Sequence, residues 1–148
     1  MEDLKTLVYS IDFPGDIEYI PPVRKFLSHL INARDFSRRF AFRTEIIIDE
    51  VCNNAVKFGK FRGNEFINLT CRIEVDRVVM DVTNPGSDAR DVQRLKQCLR
   101  EEDDASAGPM SVERGMKIVK ILCNTIEVIE GDNLCVRILK QKNQKEDL

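Results

Sequence analysis

Two pairs of alternating apolar segments, each joined across a tight polar turn, do most to restrict the folds open to this chain. Residues 66–75, FINLTCRIEV, and 78–83, VVMDVT, read as strands that meet at Asp76-Arg77. Residues 125–130, TIEVIE, and 134–139, LCVRIL, read as a second pair across Gly131-Asp132-Asn133. Short turns of this kind connect antiparallel neighbours, so the sheet is expected to be mixed and mostly antiparallel. A further strand is expected over 5–13, ended by Pro14-Gly15, which brings the sheet to about five strands.

The segments between the strands carry helical spacing. Pro21-Pro22 suits a helix start, because proline is tolerated in the first turn. Val23, Phe26, Leu27, Leu30 and Ile31 then make an apolar stripe over 23–32. A polar break at 33–38 precedes a long helix over 40–58, for which Gly59 is the expected C-cap. Asn84-Pro85-Gly86 forms a turn, and Val92, Leu95 and Leu99 mark a short helix over 90–100. The acidic stretch 101–109, EEDDASAGP, reads as a loop, and 112–124 as another helix. The expected architecture is α+β in two layers, with three or four helices on one face of the sheet. A single domain over 1–140 is expected, with a polar tail over 141–148.

Composition narrows the chemistry. The 148 residues hold 23 Lys and Arg against 25 Asp and Glu, a net charge of −2, which argues against a generic nucleic-acid coat. No apolar run reaches the ~20 residues of a membrane helix, and no leader pattern opens the sequence, so a cytoplasmic location is expected. The five cysteines are odd in number and form no CxxC pair, which argues against a disulfide framework or zinc ribbon and for small buried apolar side chains. The one histidine, His29, sits in the first helix and is expected to be structural or exposed. Catalysis, if any, falls to carboxylates and amides.

The long helix, 45–59, EIIIDEVCNNAVKFG, is the richest segment. Ile47, Ile48, Val51, Cys52 and Ala55 make the face for the sheet. Glu50 and Asn54 are four apart and therefore stack on one face, whereas Asn53 points about 100° away. A carboxylate and an amide oxygen side by side suit a hard cation such as Mg²⁺. The carboxylate can also take a proton from a hydroxyl. An isolated E-x-x-x-N is more often a solvated polar face. Residues 57–62, KFGKFR, interleave bases and aromatics but are read as a helix end and loop.

The order of motifs gives the pair a context. An E-x-x-x-N-A-x-x-x-G helix, two strands, an N-P-G turn, a loop, an R-G-M helix start and a terminal hairpin resemble the GHKL superfamily of histidine-kinase-like ATPase domains. Within it the chain looks most like the bacterial anti-sigma-factor serine/threonine kinases. The resemblance implies ATP and Mg²⁺ as ligands, with Glu50 as general base and Asn54 on the metal. It places Asn84 and Gly86 at adenine, and Arg114, Gly115 and Met116 at phosphate. It implies an anti-anti-sigma (STAS-type) phosphoacceptor, a sigma factor to sequester, and a homodimer, with no direct nucleic-acid or membrane partner. The family's lid would fall on 101–109.

Several positions depart from the family pattern. Phe58 stands where many members have histidine, and Asn84 where they have aspartate. Asp88 and Glu113 replace glycines, and Cys135 is the nearest match to a nucleotide-contacting threonine of the last strand. Asp88 is expected to crowd the nucleotide, and Glu113 to cap its own helix in competition with phosphate. The alternative function is therefore a module of the same fold that regulates by sequestration without ATP turnover.

Overall fold

The computed structural model describes residues 6–100 and 112–143. The strands are β1 (Leu7–Pro14), β2 (Phe66–Ile73), β3 (Arg77–Asn84), β4 (Thr125–Glu130) and β5 (Leu134–Gln141). The helices are α1 (Ile20–Ala33), α2 (Arg38–Phe58), α3 (Ala89–Arg100) and α4 (Val112–Leu122). The acidic stretch 101–109 and most of the polar tail lie outside the described residues.

The strands form one sheet in the order β1-β2-β3-β5-β4, and every pairing is antiparallel. No parallel ladder mixes in, because β5 returns beside β3 through a hairpin and not a crossover. Side chains alternate faces along a strand. Ile67, Leu69, Cys71 and Ile73 of β2, with Val78, Met80 and Val82 of β3, are buried under the helices. The intervening residues, among them Thr70, Asp81 and Thr83, face the other way and stay half exposed.

α2 crosses the helical layer and buries Phe40, Ala41, Thr44, Ile47, Ile48, Val51, Cys52 and Ala55. It begins two residues earlier than expected, at Arg38, because the Ser37 hydroxyl accepts from Phe40 N–H at 3.0 Å. Gly59 does cap it, in an extended conformation with φ −71°. Its N–H donates to the Ala55 carbonyl, and a Cβ there would meet that same oxygen at 2.7 Å. α1 packs on α2 through Leu27 and Ile31, and Arg24 reaches Asp49 at 2.5 Å. A 3₁₀ turn at Ile17–Tyr19, absent from the sequence reading, leads into α1 and is capped by Asp16.

The apolar interior divides in two. A large cluster joins α1, α2, Val119 of α4 and the helix face of β1, β2, β3 and β5. A smaller one joins Val92, Leu95 and Cys98 of α3 with Val112 and Met116 of α4 and Leu134 of β5. Cys52, Cys71 and Cys98 are buried, and burial pushes the Cys52 and Cys71 thiols up to about 12. His29 is exposed.

Candidate functional site

Between the two clusters runs a small cavity. Its walls are Val51, Asn54, Ala55 and Phe58 of α2, Val82 and Asn84 of β3, Leu95 of α3, Met116 of α4, and Leu134 and Val136 of β5. The side chains leave space for little more than one water-sized sphere. The helical period explains the grouping: positions 51, 54, 55 and 58 recur on one stripe of α2.

Asn54 lines this cavity, and Glu50, one turn before it on α2, lies where α2 meets the start of α4. The meeting depends on Gly115. A Cβ on that residue would collide with the Glu50 carboxylate, so the absent side chain is the slot that Glu50 occupies. Asn54 Nδ2 lies 3.3 Å from the Met116 sulfur, an approach that leaves the amide oxygen available. Burial raises the Glu50 carboxyl above its ordinary value; neighbouring Asp49 raises it further, and nearby Arg114 pulls it partly back. Arg114 is thus within electrostatic reach of Glu50 on the exposed side of α4.

Asn84 closes the floor. Its side chain is buried and ties three places together. Oδ1 accepts from Gly86 N–H at 2.9 Å, and Nδ2 donates to the Ala55 carbonyl at 3.3 Å and to Ser87 Oγ at 3.4 Å. Gly86 holds φ +121°, a conformation that a side chain would strain. It faces a neighbouring open cleft with Lys60 and the Asp132 turn, outside the cavity wall.

Three of the divergent positions make contacts that the sequence did not indicate. Asp88 turns outward to Lys60, 2.6 Å away, and that hydrogen-bonded cation holds its carboxyl below the usual range. Glu113 is gripped by Arg94 of α3 through two bonds, Nε–Oε1 at 2.6 Å and Nη2–Oε2 at 3.1 Å. Cys135 lies on the far face of the sheet, opposite Thr83 in register and hydrogen-bonded to it. It therefore cannot reach a ligand held under the helices; Leu134 and Val136 are the β5 residues that face the cavity.

Residues 57–62 also resolve. Lys57 sits 5.3 Å over the Phe58 ring, and the Phe61 ring fills the space beside Gly15 and Gly59. The sequence reading missed Leu95 as a wall of the cavity and Arg94 as the partner of Glu113. Leu95 was visible as a core stripe residue; nothing in the sequence pairs Arg94 with Glu113.

The family model for the histidine kinase-like ATPase domain matches residues 13–140. The chain belongs to that family. The match enters at the end of β1, runs through the other described helices and strands and leaves near the end of β5. No curated protein matches the chain. As a histidine kinase-like ATPase domain, it is a member of an ATP-binding family, and the five antiparallel strands and four α-helices among the described residues agree with that fold. No helix among the described residues is long and apolar enough to cross a membrane.

The residues present fit Mg²⁺ in kind. Mg²⁺ takes oxygen donors, keeps several waters and is commonly held by one or two protein groups plus phosphate oxygens. Asn54 and Glu50 offer such oxygens on one helix face. Among the described residues no group of three or more His, Cys, Asp or Glu gathers to make a closed metal cage.

Proposed function

We propose that this chain is an anti-sigma-type regulator that binds Mg²⁺-ATP and phosphorylates a serine or threonine of an anti-anti-sigma, STAS-type partner. It would sequester a sigma factor when that partner is spent, and act as a homodimer in the cytoplasm. The observation that carries this reading is that Glu50 occupies the slot left by the side-chain-free Gly115, one turn of α2 from Asn54, which lines the cavity and approaches Met116.

In this reading Glu50 accepts the proton of the partner's hydroxyl. The hydroxyl oxygen forms the new bond to the γ-phosphorus, the β–γ bridging bond breaks, and ADP leaves with that bond's electron pair. The raised Glu50 carboxyl makes a stronger base than an ordinary glutamate. Asn54 would hold Mg²⁺ through its amide oxygen, and the metal, when bound, neutralises charge on the phosphates. In the same reading Arg114 and the backbone at Gly115 and Met116 would face phosphate, and Asn84 and Gly86 would seat adenine.

A second reading is favoured by one specific feature. The Asn84 amide is committed to the Gly86 turn and α2, and the cavity holds about one water, so the fold is also compatible with a module that sequesters partners without ATP turnover. Calorimetric titration with ATP and ADP, with and without Mg²⁺, separates the two. Magnesium-dependent binding that disappears in Asn54→Ala is expected, and justifies a phosphotransfer assay. No heat at millimolar nucleotide leaves the sequestering module.

A further inference from the structure

The α3–α4 pair is more than a wall of the cavity. Leu95 of α3 and Met116 of α4 both line and narrow it, and both are members of the smaller apolar cluster. The residue next to Leu95 is Arg94, and the residue one turn before Met116 is Glu113. These two grip one another across the helices in a two-bond fork, the geometry in which arginine binds carboxylate most firmly. The clasp therefore acts on the same two helices that carry these side chains. Arg94 is held in the charged state by Glu113, in keeping with the pairing.

From this arrangement we infer that Arg94–Glu113 is an autoinhibitory latch: it keeps α3 against α4 with Leu95 and Met116 in the cavity, and a nucleotide must break it to enter. The inference rests on the nucleotide site proposed above. Admitting a base requires Leu95 to withdraw, and Leu95 withdraws only as α3 moves from α4. The main core takes no part, since α1, α2 and the sheet pack without α3. The latch sets the level of nucleotide occupancy. A partner that competed for Arg94 or Glu113 would raise it.

The sign of one substitution decides the matter. By charge alone, Arg94→Gln removes a cation from beside the phosphate end of the site and weakens nucleotide binding. By the latch, the same change frees α3 and tightens it. The test is calorimetry with Mg²⁺-ATP on the full chain, alongside backbone amide exchange over residues 89–100, for wild type, Arg94→Gln and Glu113→Gln. An exposed, two-bonded ion pair sets the expected size at about twofold to fivefold. Both variants should exchange α3 amides faster by that factor with α2 unchanged, and Arg94→Gln should bind nucleotide tighter by the same factor.

Unchanged α3 exchange in both variants overturns the latch. So does nucleotide binding by Arg94→Gln that is equal to or weaker than wild type, and in that case the proposed site stands. If neither wild type nor variant binds nucleotide, the proposed function fails and the latch fails with it. Should Arg94→Gln not fold, Glu113→Gln gives the exchange measurement, and a lack of change there is equally decisive.

Discussion

The two apolar clusters of this molecule are built from the same kinds of side chain but do different work. In the large cluster Leu27, Ile31, Ile47, Ile67 and Leu69 are wholly shielded, in one body of residues from α1, α2 and the sheet. In the small one Val92, Leu95 and Cys98 come from a single exposed helix. That helix is held to its neighbours by ion pairs at the surface, Arg94–Glu113 and Lys96–Glu130. Surface pairs contribute little, about 0–1 kcal/mol each, whereas burying a Leu or Ile contributes about 1.5–3 kcal/mol. The fold therefore draws its stability from one side of the cavity and keeps the other side loosely tied. Elements that must move to admit a ligand come from such low-stability parts of a structure.

The same substitution made in each region is the strongest way to break that comparison. Leu27→Ala should cost about 3–5 kcal/mol, because the site is closed on all sides and cannot collapse. Leu95→Ala should cost about 2 kcal/mol, because a void already lies beside it. Urea unfolding of both variants gives the two numbers. Equal losses would mean that α3 belongs to one cooperative core with the rest, and the division into a stable and a loosely tied half would be abandoned.

The stable half was also the legible half. The β2–β3 and β4–β5 hairpins, α2 and the stripe of α1 follow from local periodicity and turn residues, and the structure places each within a few residues of expectation. The pairing of β3 with β5 was not legible, since it joins segments separated by two helices. The loosely tied half depends on contacts distant in sequence: Arg94 with Glu113 and Lys96 with Glu130. Neither has a local signature. Cys135 is a different case. Leu134, Val136 and Ile138 alternate with Cys135 and Arg137, so strand parity alone puts Cys135 on the face away from the helices. Matching by motif overrode parity there. The Glu50–Asn54 pair was legible from spacing. Its dependence on the missing side chain of Gly115 was not, although both glycine and its helix were.

Gly115→Ala sharpens the comparison at the boundary between the halves. The added methyl enters the space of the Glu50 carboxylate, which is the free end of a flexible side chain and can swing away. Alanine meanwhile favours the helix by about 1 kcal/mol over glycine. Stability should thus change by no more than about 1 kcal/mol, while Glu50 leaves its place. Nucleotide-dependent phosphotransfer should fall by at least about tenfold, as expected when a general base is displaced. A melt combined with a phosphotransfer assay reads both. A large loss of stability with activity kept would mean that Glu50 packs there for structural reasons only.

The smallest effect concerns the proton on Glu50. Its carboxyl is raised chiefly by burial, then by Asp49, against the opposing pull of Arg114. A raised carboxyl favours the neutral form in the folded state. That stabilisation is complete below the unfolded carboxyl's ordinary value and is lost as pH climbs through the folded one. Glu50→Gln keeps a neutral side chain of the same shape at every pH. Relative to this variant, wild type should therefore lose stability between acidic and neutral pH, and the urea midpoints of the two proteins should separate accordingly. The shift is modest because the group is only partly buried. If wild type instead gained on the variant as pH rose, Arg114 would be outweighing burial. Glu50 would then be the weaker base and its carboxylate a tethered ion-pair partner, which moves the site toward the sequestering reading.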